Sequence, residues 1–380
     1  MSININKNDT IKHVLVAPLD WGLGHATRCI PIVNELLEQG FKVSIAASGA
    51  IEILLKKEFP QLNFLPLFGY NVSYSKSNIG FLWKMMLQIP SINKTIKREN
   101  AWLQKIIEEQ KIDVVISDNR FGLYNKNVKC IFITHQLNIQ MGNKFFNKIA
   151  QKINYHFINK FEECWVPDIA GENSLAGILS HPKKLPNTVV KYIGVLSRFT
   201  KNKTAKNVDV VVLLSGPEPQ RTIFETIILK QIENTNLKIK IARGLPSSKK
   251  DLLVGNKNVE IINHLPKDEL SALIKSAKIV IARSGYSTVM DMAALQQATL
   301  YVPTPGQTEQ EYLAKYLSEK KYCFTTTQAM FNFEDELKKL DGIVFRAYPE
   351  NNNVALEQAI ANLNVSTIYL TPIPLQRRGN

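Results

Sequence analysis

Short runs of β-branched and aliphatic residues recur along the chain, with longer helical patterns between them. They are "HVLVA" (13–17), "KVSIAA" (42–47), "DVVIS" (113–117), "CIFIT" (130–134), "VDVVVLLS" (208–215), "IVIA" (279–282) and "TLYV" (299–302). A strand that is apolar at almost every position must be buried on both faces, as in a parallel sheet covered by helices on either side. The expected class is therefore α/β.

With 380 residues the chain has the length of about two or three domains. The stretch "SRFTKNKTAKN" (197–207) is polar, basic and without periodicity, and the strand pattern restarts directly after it. We place one unit at 1–198, a linker at 199–207 and a second unit at 208–380. An apolar fraction of 45%, with 17 Phe and 4 Trp, is enough for a sizeable core in each and excludes a disordered chain. Two doubly wound units leave a cleft at the carboxyl ends of their strands, where such sheets bind ligands.

Lysine and arginine outnumber the acids by 47 to 33, a net charge of +14 that favours anionic partners: nucleotides, nucleic acid or a lipid surface. The opening MSININKNDT is polar, and no apolar run reaches the ~18 residues of a membrane span, so a cytoplasmic protein is expected. The cysteines, Cys29, Cys130, Cys164 and Cys323, lie far apart without CxxC spacing and read as buried thiols.

In "DWGLGHATRCIP" (20–31), Gly22 and Gly24 separate the first strand from a helix beginning near His25. Glycines allow a tight turn and close approach of a ligand, and a helix N-terminus presents free N–H groups and a positive dipole end. The spacing is not G-x-G-x-x-G, and "AASGA" (46–50) carries no acid after the second strand, which argues against dinucleotide binding. His25 here is either a cap or a proton acceptor. Asp118 in "VVISDNRFG" and His135 and Gln136 in "IFITHQLNI" also follow strands, so all of these residues converge on one rim. An Asp beside a His can fix its tautomer and stabilise the imidazolium.

The second half carries a denser pattern. "RSGYSTVMD" (283–291) opens a helix with Arg283, Ser284, Gly285, Ser287 and Thr288, a plausible diphosphate cradle, and Asp291 lies one turn further in, placed for a ribose hydroxyl. "GQTEQ" (306–310) brings Glu309 and Gln310, a polar pair suited to sugar hydroxyls. Ordinary caps and turns would account for each alone, but not for their all following strands of one unit.

Residues 263–317 resemble the carboxyl-terminal donor region of family 28 glycosyltransferases, the MurG-like N-acetylglucosaminyltransferases. "GLGHATR" is similar to that family's amino-terminal glycine loop, with His25 at its histidine, and "THQLNIQMGNK" resembles its "HEQN" segment. The resemblance implies a GT-B architecture: two Rossmann-like domains, with acceptor and catalytic loops in the first and nucleotide-sugar in the second. Gly216 in "LLSGPEPQR" matches the first phosphate-side loop, and Leu265 the backbone contact to the base. Ser287 and Thr288 match phosphate contacts, Asp291 the ribose contact and Gln310 the donor-sugar contact. Asp291 replaces the family's usual Glu, and Gln136 stands where "HEQN" has its acid, which moves the base role to His25. An Asp placed like Asp118 supports the base in related plant-type transferases, implying a His25–Asp118 pair.

The resemblance thus implies an inverting glycosyltransferase using a UDP-linked sugar and a hydroxyl acceptor, lipid-linked or glycan. No D-x-D occurs in the chain, so no metal and no cofactor are expected. Nucleic acid is not an expected partner. A UDP-sugar 2-epimerase of the same fold and a non-catalytic nucleotide-sugar-binding subunit are the alternatives. The stretches 80–105 and 144–161 mix bulky apolar residues with lysines, a composition suited either to a core face or to an anionic membrane surface.

Overall fold

The structure, a computed structural model, describes residues 12–70, 78–139, 144–199, 204–245, 252, 255–350 and 353–364. Seven parallel strands form the first sheet: β1 (His13–Pro18), β2 (Lys42–Ala47), β3 (Asn63–Pro66), β4 (Val114–Asp118), β5 (Lys129–Ile133), β6 (Glu163–Val166) and β7 (Val189–Tyr192), in spatial order 3-2-1-4-5-6-7. Helices α1 (Leu23–Glu38), α2 (Gly49–Glu58), α3 (Asn78–Gln110) and α4 (Lys144–Ile158) connect them. The second sheet has six parallel strands, β8 (Val208–Leu213), β9 (Ile239–Ala242), β10 (Val259–Ile262), β11 (Ala277–Ala282), β12 (Thr299–Tyr301) and β13 (Phe324–Thr325), in order 10-9-8-11-12-13. Its helices are α5 (Gln220–Gln231), α6 (Lys267–Ser276), α7 (Tyr286–Leu295), α8 (Thr308–Glu319) and α9 (Phe333–Leu340).

Both orders reverse direction beside the first strand of their sheet, between β1 and β4 and between β8 and β11, which opens a ligand crevice at the carboxyl ends of those strands. Each sheet is covered on both faces by an apolar cluster, as the strands without polar alternation require. The last described helix, α10 (Val354–Ala361), leaves the second sheet. Leu356, Ala359 and Ile360 join the core under α1, so this helix braces the first half.

Candidate active site between the two sheets

The register Pro18↔Asp118 places the last residue of β4 beside the end of β1, where the chain turns into α1. Gly22, at φ 153°, makes that turn, and no side chain caps the helix. First-turn N–H groups and the positive end of the dipole therefore remain open to a ligand. His25 lies in this turn with its side chain 18% exposed, and its Nδ1 is 2.9 Å from Oδ2 of the fully buried Asp118.

Arg28, one turn further along α1, completes the arrangement. Its Nε donates to Asp118 Oδ2 at 2.9 Å and its Nη2 to Oδ1 at 2.5 Å, a two-pronged clamp. Nη2 also lies 2.5 Å from His25 Nδ1, and Nη1 is 3.1 Å from His135 Nδ1. Burial opposes ionisation of Asp118, but Arg28 and then His25 outweigh it and hold the carboxyl at about 2. Burial, and after it the Arg28 charge, lower the pKa of His25 against the pull of Asp118. The ring is thus neutral and able to accept a proton where the carboxylate is ionised.

The two halves meet at this point. The His135 ring stacks on Tyr286 at 3.8 Å, with 18° between the planes. His135 Nε2 is 3.3 Å from Glu309 Oε1, and Gln136 Nε2 donates to Glu309 Oε2. Ser287 Oγ donates to the Gly24 carbonyl at 3.3 Å, so the open N-termini of α1 and α7 abut. The side chain of Glu309, expected against a donor sugar, instead faces His135 and Gln136 across the cleft.

On the second half, Gly216 follows β8 at φ 98° with open space over its α-carbon, and Gly285 caps α7 without a side-chain bond. Thr288 is half-buried in the first turn of α7, and Leu265, after β10, packs on the adjoining core. Asp291 Oδ1 accepts a hydrogen bond from Ser197 Oγ at 2.6 Å. Burial pushes its carboxyl up to about 6, against the opposite pull of Ser197 and Arg198.

Three expected donor ligands have their side chains engaged within the fold. Arg283 is 1% exposed; it donates to the Val302 and Pro303 carbonyls at 2.9 and 3.0 Å and lies over the Phe224 ring at 4.2 Å. It ties β11 to the loop after β12 rather than facing the cleft. Ser284 is fully buried and donates to the Gln310 carbonyl at 2.8 Å. Gln310 accepts from the Thr304 N–H at 2.9 Å and donates to Gln307 Oε1 at 2.6 Å, which shapes the loop instead of reaching outward. Arg28, Ser197 and Tyr286 were not expected at the site. Only Arg28 had a signal, lying three residues after His25 and so on the same helix face.

Residues 210–363 match the C-terminal domain of glycosyltransferase family 28, and residues 16–152 match a glycosyl transferase family 1 model. The chain is a GT-B glycosyltransferase. A relative described as an uncharacterized glycosyltransferase of Methanosarcina acetivorans is 26% identical over 79% of this transferase and 82% of its own length. The UDP-N-acetylglucosamine--N-acetylmuramyl-(pentapeptide) pyrophosphoryl-undecaprenol N-acetylglucosamine transferase of Haemophilus influenzae is 23% identical over 78% and 80% of the two chains. The crystal structure of the kitacinnamycin glycosyltransferase superposes with a TM-score of 0.64 at 13% identity, covering 93% of this transferase and 94% of that chain. The matched family 28 segment contains every donor-side residue expected from the sequence, and the family 1 segment contains the His25–Asp118–Arg28 cluster.

Proposed function

We propose that this transferase moves a sugar from a UDP-linked donor to a hydroxyl acceptor with inversion and without a metal ion. The observation that carries the reading is the His25–Asp118 pair on the open end of α1, facing the open end of α7 across the cleft. The reading takes the tautomer in which Nδ1–H donates to Asp118, so that Nε2 of His25 is bare to take the acceptor proton, while Asp118 stabilises the imidazolium that forms. The acceptor oxygen attacks the anomeric carbon from the face opposite the diphosphate. The bond to the diphosphate oxygen breaks, and its charge settles against the first-turn N–H groups of α7. Asp291 holds the ribose. The Haemophilus influenzae relative, named for its UDP-N-acetylglucosamine substrate, supports the choice of nucleotide.

The test is UDP release from a panel of UDP-sugars with and without acceptors. Release that needs an acceptor supports transfer, interconversion of the sugar without acceptor supports a 2-epimerase, and binding without turnover supports a carrier subunit. Activity is expected to survive a chelator; inhibition reversed by magnesium or manganese would overturn the metal-free step. Asp291→Ala is expected to weaken UDP binding by about 1–3 kcal/mol in calorimetry, because a charged acceptor is lost from the ribose. With its carboxyl near 6, Asp291 becomes a neutral acid as the pH falls below that value, so UDP affinity of the unmodified protein should decline there too. Unchanged affinity in the variant rejects the donor-site assignment.

We also propose that the acceptor is lipid-linked and that the protein docks on the inner, anionic face of a membrane. Among the described residues no helix is long and apolar enough to cross a membrane. On α4, Phe145 is 66% exposed, Phe146 39%, Ile149 43% and Ile153 49%, forming one apolar stripe flanked by exposed Lys148 and Lys152. Lys94, Lys97 and Arg98 are exposed on α3; the apolar side chains of 81–87 lie outside the described residues. Such a surface gains about 1 kcal/mol per basic residue at an anionic interface. Co-sedimentation is expected with anionic vesicles and should weaken with salt and when Lys94, Lys97 and Arg98 become Glu. A protein that stays in the supernatant at low salt would point to a soluble acceptor.

A further inference from the structure

A row of alternating charges runs along the carboxyl edge of the second sheet, apart from the cluster at His25. Glu218, two residues past Gly216, pairs with Arg221 Nε at 2.6 Å. Arg221 Nη2 donates to Glu225 Oε2 at 3.3 Å, one turn further along α5. Glu225 also accepts from Arg243, which directly follows β9: Nε to Oε1 at 2.5 Å and Nη2 to Oε2 at 3.1 Å. Through Nη1 the same guanidinium donates to Asn263 Oδ1 at 2.7 Å. Asn263 directly follows β10 and stands two residues before Leu265.

The row therefore spans three neighbouring strand ends, from the loop after β8, over the end of β9, to the loop after β10. Main-chain bonds reinforce its far end: the Arg243 N–H donates to the Ile262 carbonyl and the Leu245 N–H to the Asn263 carbonyl, each at 2.8 Å. Arg221, Glu225 and Arg243 are all buried. Burial opposes ionisation of Glu225, but Arg243 and Arg221 outweigh it and hold the carboxyl below its ordinary value. Buried ion pairs gain little net stability over apolar side chains of the same volume. What they fix is geometry, because a guanidinium is a planar fork that meets a carboxylate in few arrangements. At the near end, Glu218 Oε2 accepts the Thr222 N–H at 3.2 Å, so the chain's own carboxylate takes a first-turn donor of α5. The start of α7 has no such side-chain cap.

We infer that Glu225 and Arg243 are positioning residues that set the distance between the loop after β8 and the loop after β10, matching the site to a ligand that engages both at once, a nucleoside diphosphate. The inference rests on the UDP-donor reading above, in which phosphate lies by Gly216 and the base by Leu265. Both residues are buried, so they act through the loops they hold.

A ligand that reaches only one loop is indifferent to the distance between the two, whereas UDP is not. The probes are uridine, titrated by saturation-transfer NMR, and UDP, measured by calorimetry, with circular dichroism as the folding check. Glu225→Gln keeps the side-chain shape and removes the charge between two guanidiniums; Arg243→Met removes the fork. In each, UDP affinity should fall about 10-fold or more while uridine affinity stays within about 2-fold. Arg243→Lys, which keeps the charge without the fork, should recover part of the loss. If Arg243→Met does not fold, Glu225→Gln and Arg243→Lys decide. Unchanged UDP affinity in the folded variants, or an equal loss of uridine and UDP, would overturn the inference. The expected split in a protein whose UDP release needs no acceptor supports the inference and counts against the transfer reading alone. An unmodified protein that binds neither probe overturns both.

Discussion

Replacing His25 with alanine is expected to lower kcat by roughly 10²–10⁴-fold, the usual contribution of a positioned general base, with UDP affinity nearly unchanged. The separation follows from the architecture: the ring stands on α1 of the first half, and the residues proposed to hold the nucleotide stand on the loops of the second. Because burial and the Arg28 charge lower the pKa of His25, the neutral base persists to lower pH than an ordinary histidine, and kcat at saturating donor should fall as the pH drops through that depressed value. Asp118→Asn should also lose turnover, since an amide does not hold the proton on Nδ1 or balance the imidazolium. Single-turnover kinetics with a saturating donor isolate the chemical step, and near-normal turnover in His25→Ala removes this residue from the mechanism.

The architecture was legible because buried parallel strands lack the polar alternation of half-exposed ones. All seven runs read as strands from the sequence are strands in the structure. The strands the pattern did not reveal are β3, β6, β7, β9, β10 and β13, which have four residues or two and are too short to carry a period. Nor does the pattern of α10 tell which sheet it serves, because an apolar stripe names no partner.

At the site, convergence of His25, Asp118 and His135 could be read because strand ends in a parallel sheet share one edge. Arg28 was legible only as a neighbour of His25 on one helix face; its burial against Asp118 was not, since an arginine on an amphipathic helix reads as solvent-facing until Asp118 is seen to be fully buried beside it. Arg283 is the converse case: its position at the end of β11 suits a phosphate, and its side chain turns inward to the Val302 and Pro303 carbonyls. The Glu309 contacts to His135 and Gln136 depend on how the halves are set against one another, which no local pattern records.

Arg28 carries the other large effect. Arg28→Met removes the cation that offsets the burial of Asp118, and breaking a buried ion pair from one side costs about 3–5 kcal/mol because the remaining charge has no counterpart. The folded pKa of Asp118, about 2, lies below the ordinary value of about 3.9, so the pair's contribution is complete above about pH 4 and is lost as the pH falls toward 2. In Arg28→Met the Asp118 pKa should rise, since burial, the largest influence on it, is no longer outweighed. His25 should shift upward as well: it loses the Arg28 repulsion and keeps the attraction of Asp118. Two measurements follow from one substitution. Denaturant unfolding at neutral pH should show the first half destabilised, and the acid limb of kcat/KM should move to higher pH. Arg28→Lys, which keeps the charge but not the two-pronged geometry, should recover part of both. A variant with unchanged stability and an unmoved acid limb would mean that Arg28 neither compensates Asp118 nor sets the proton affinity of the base.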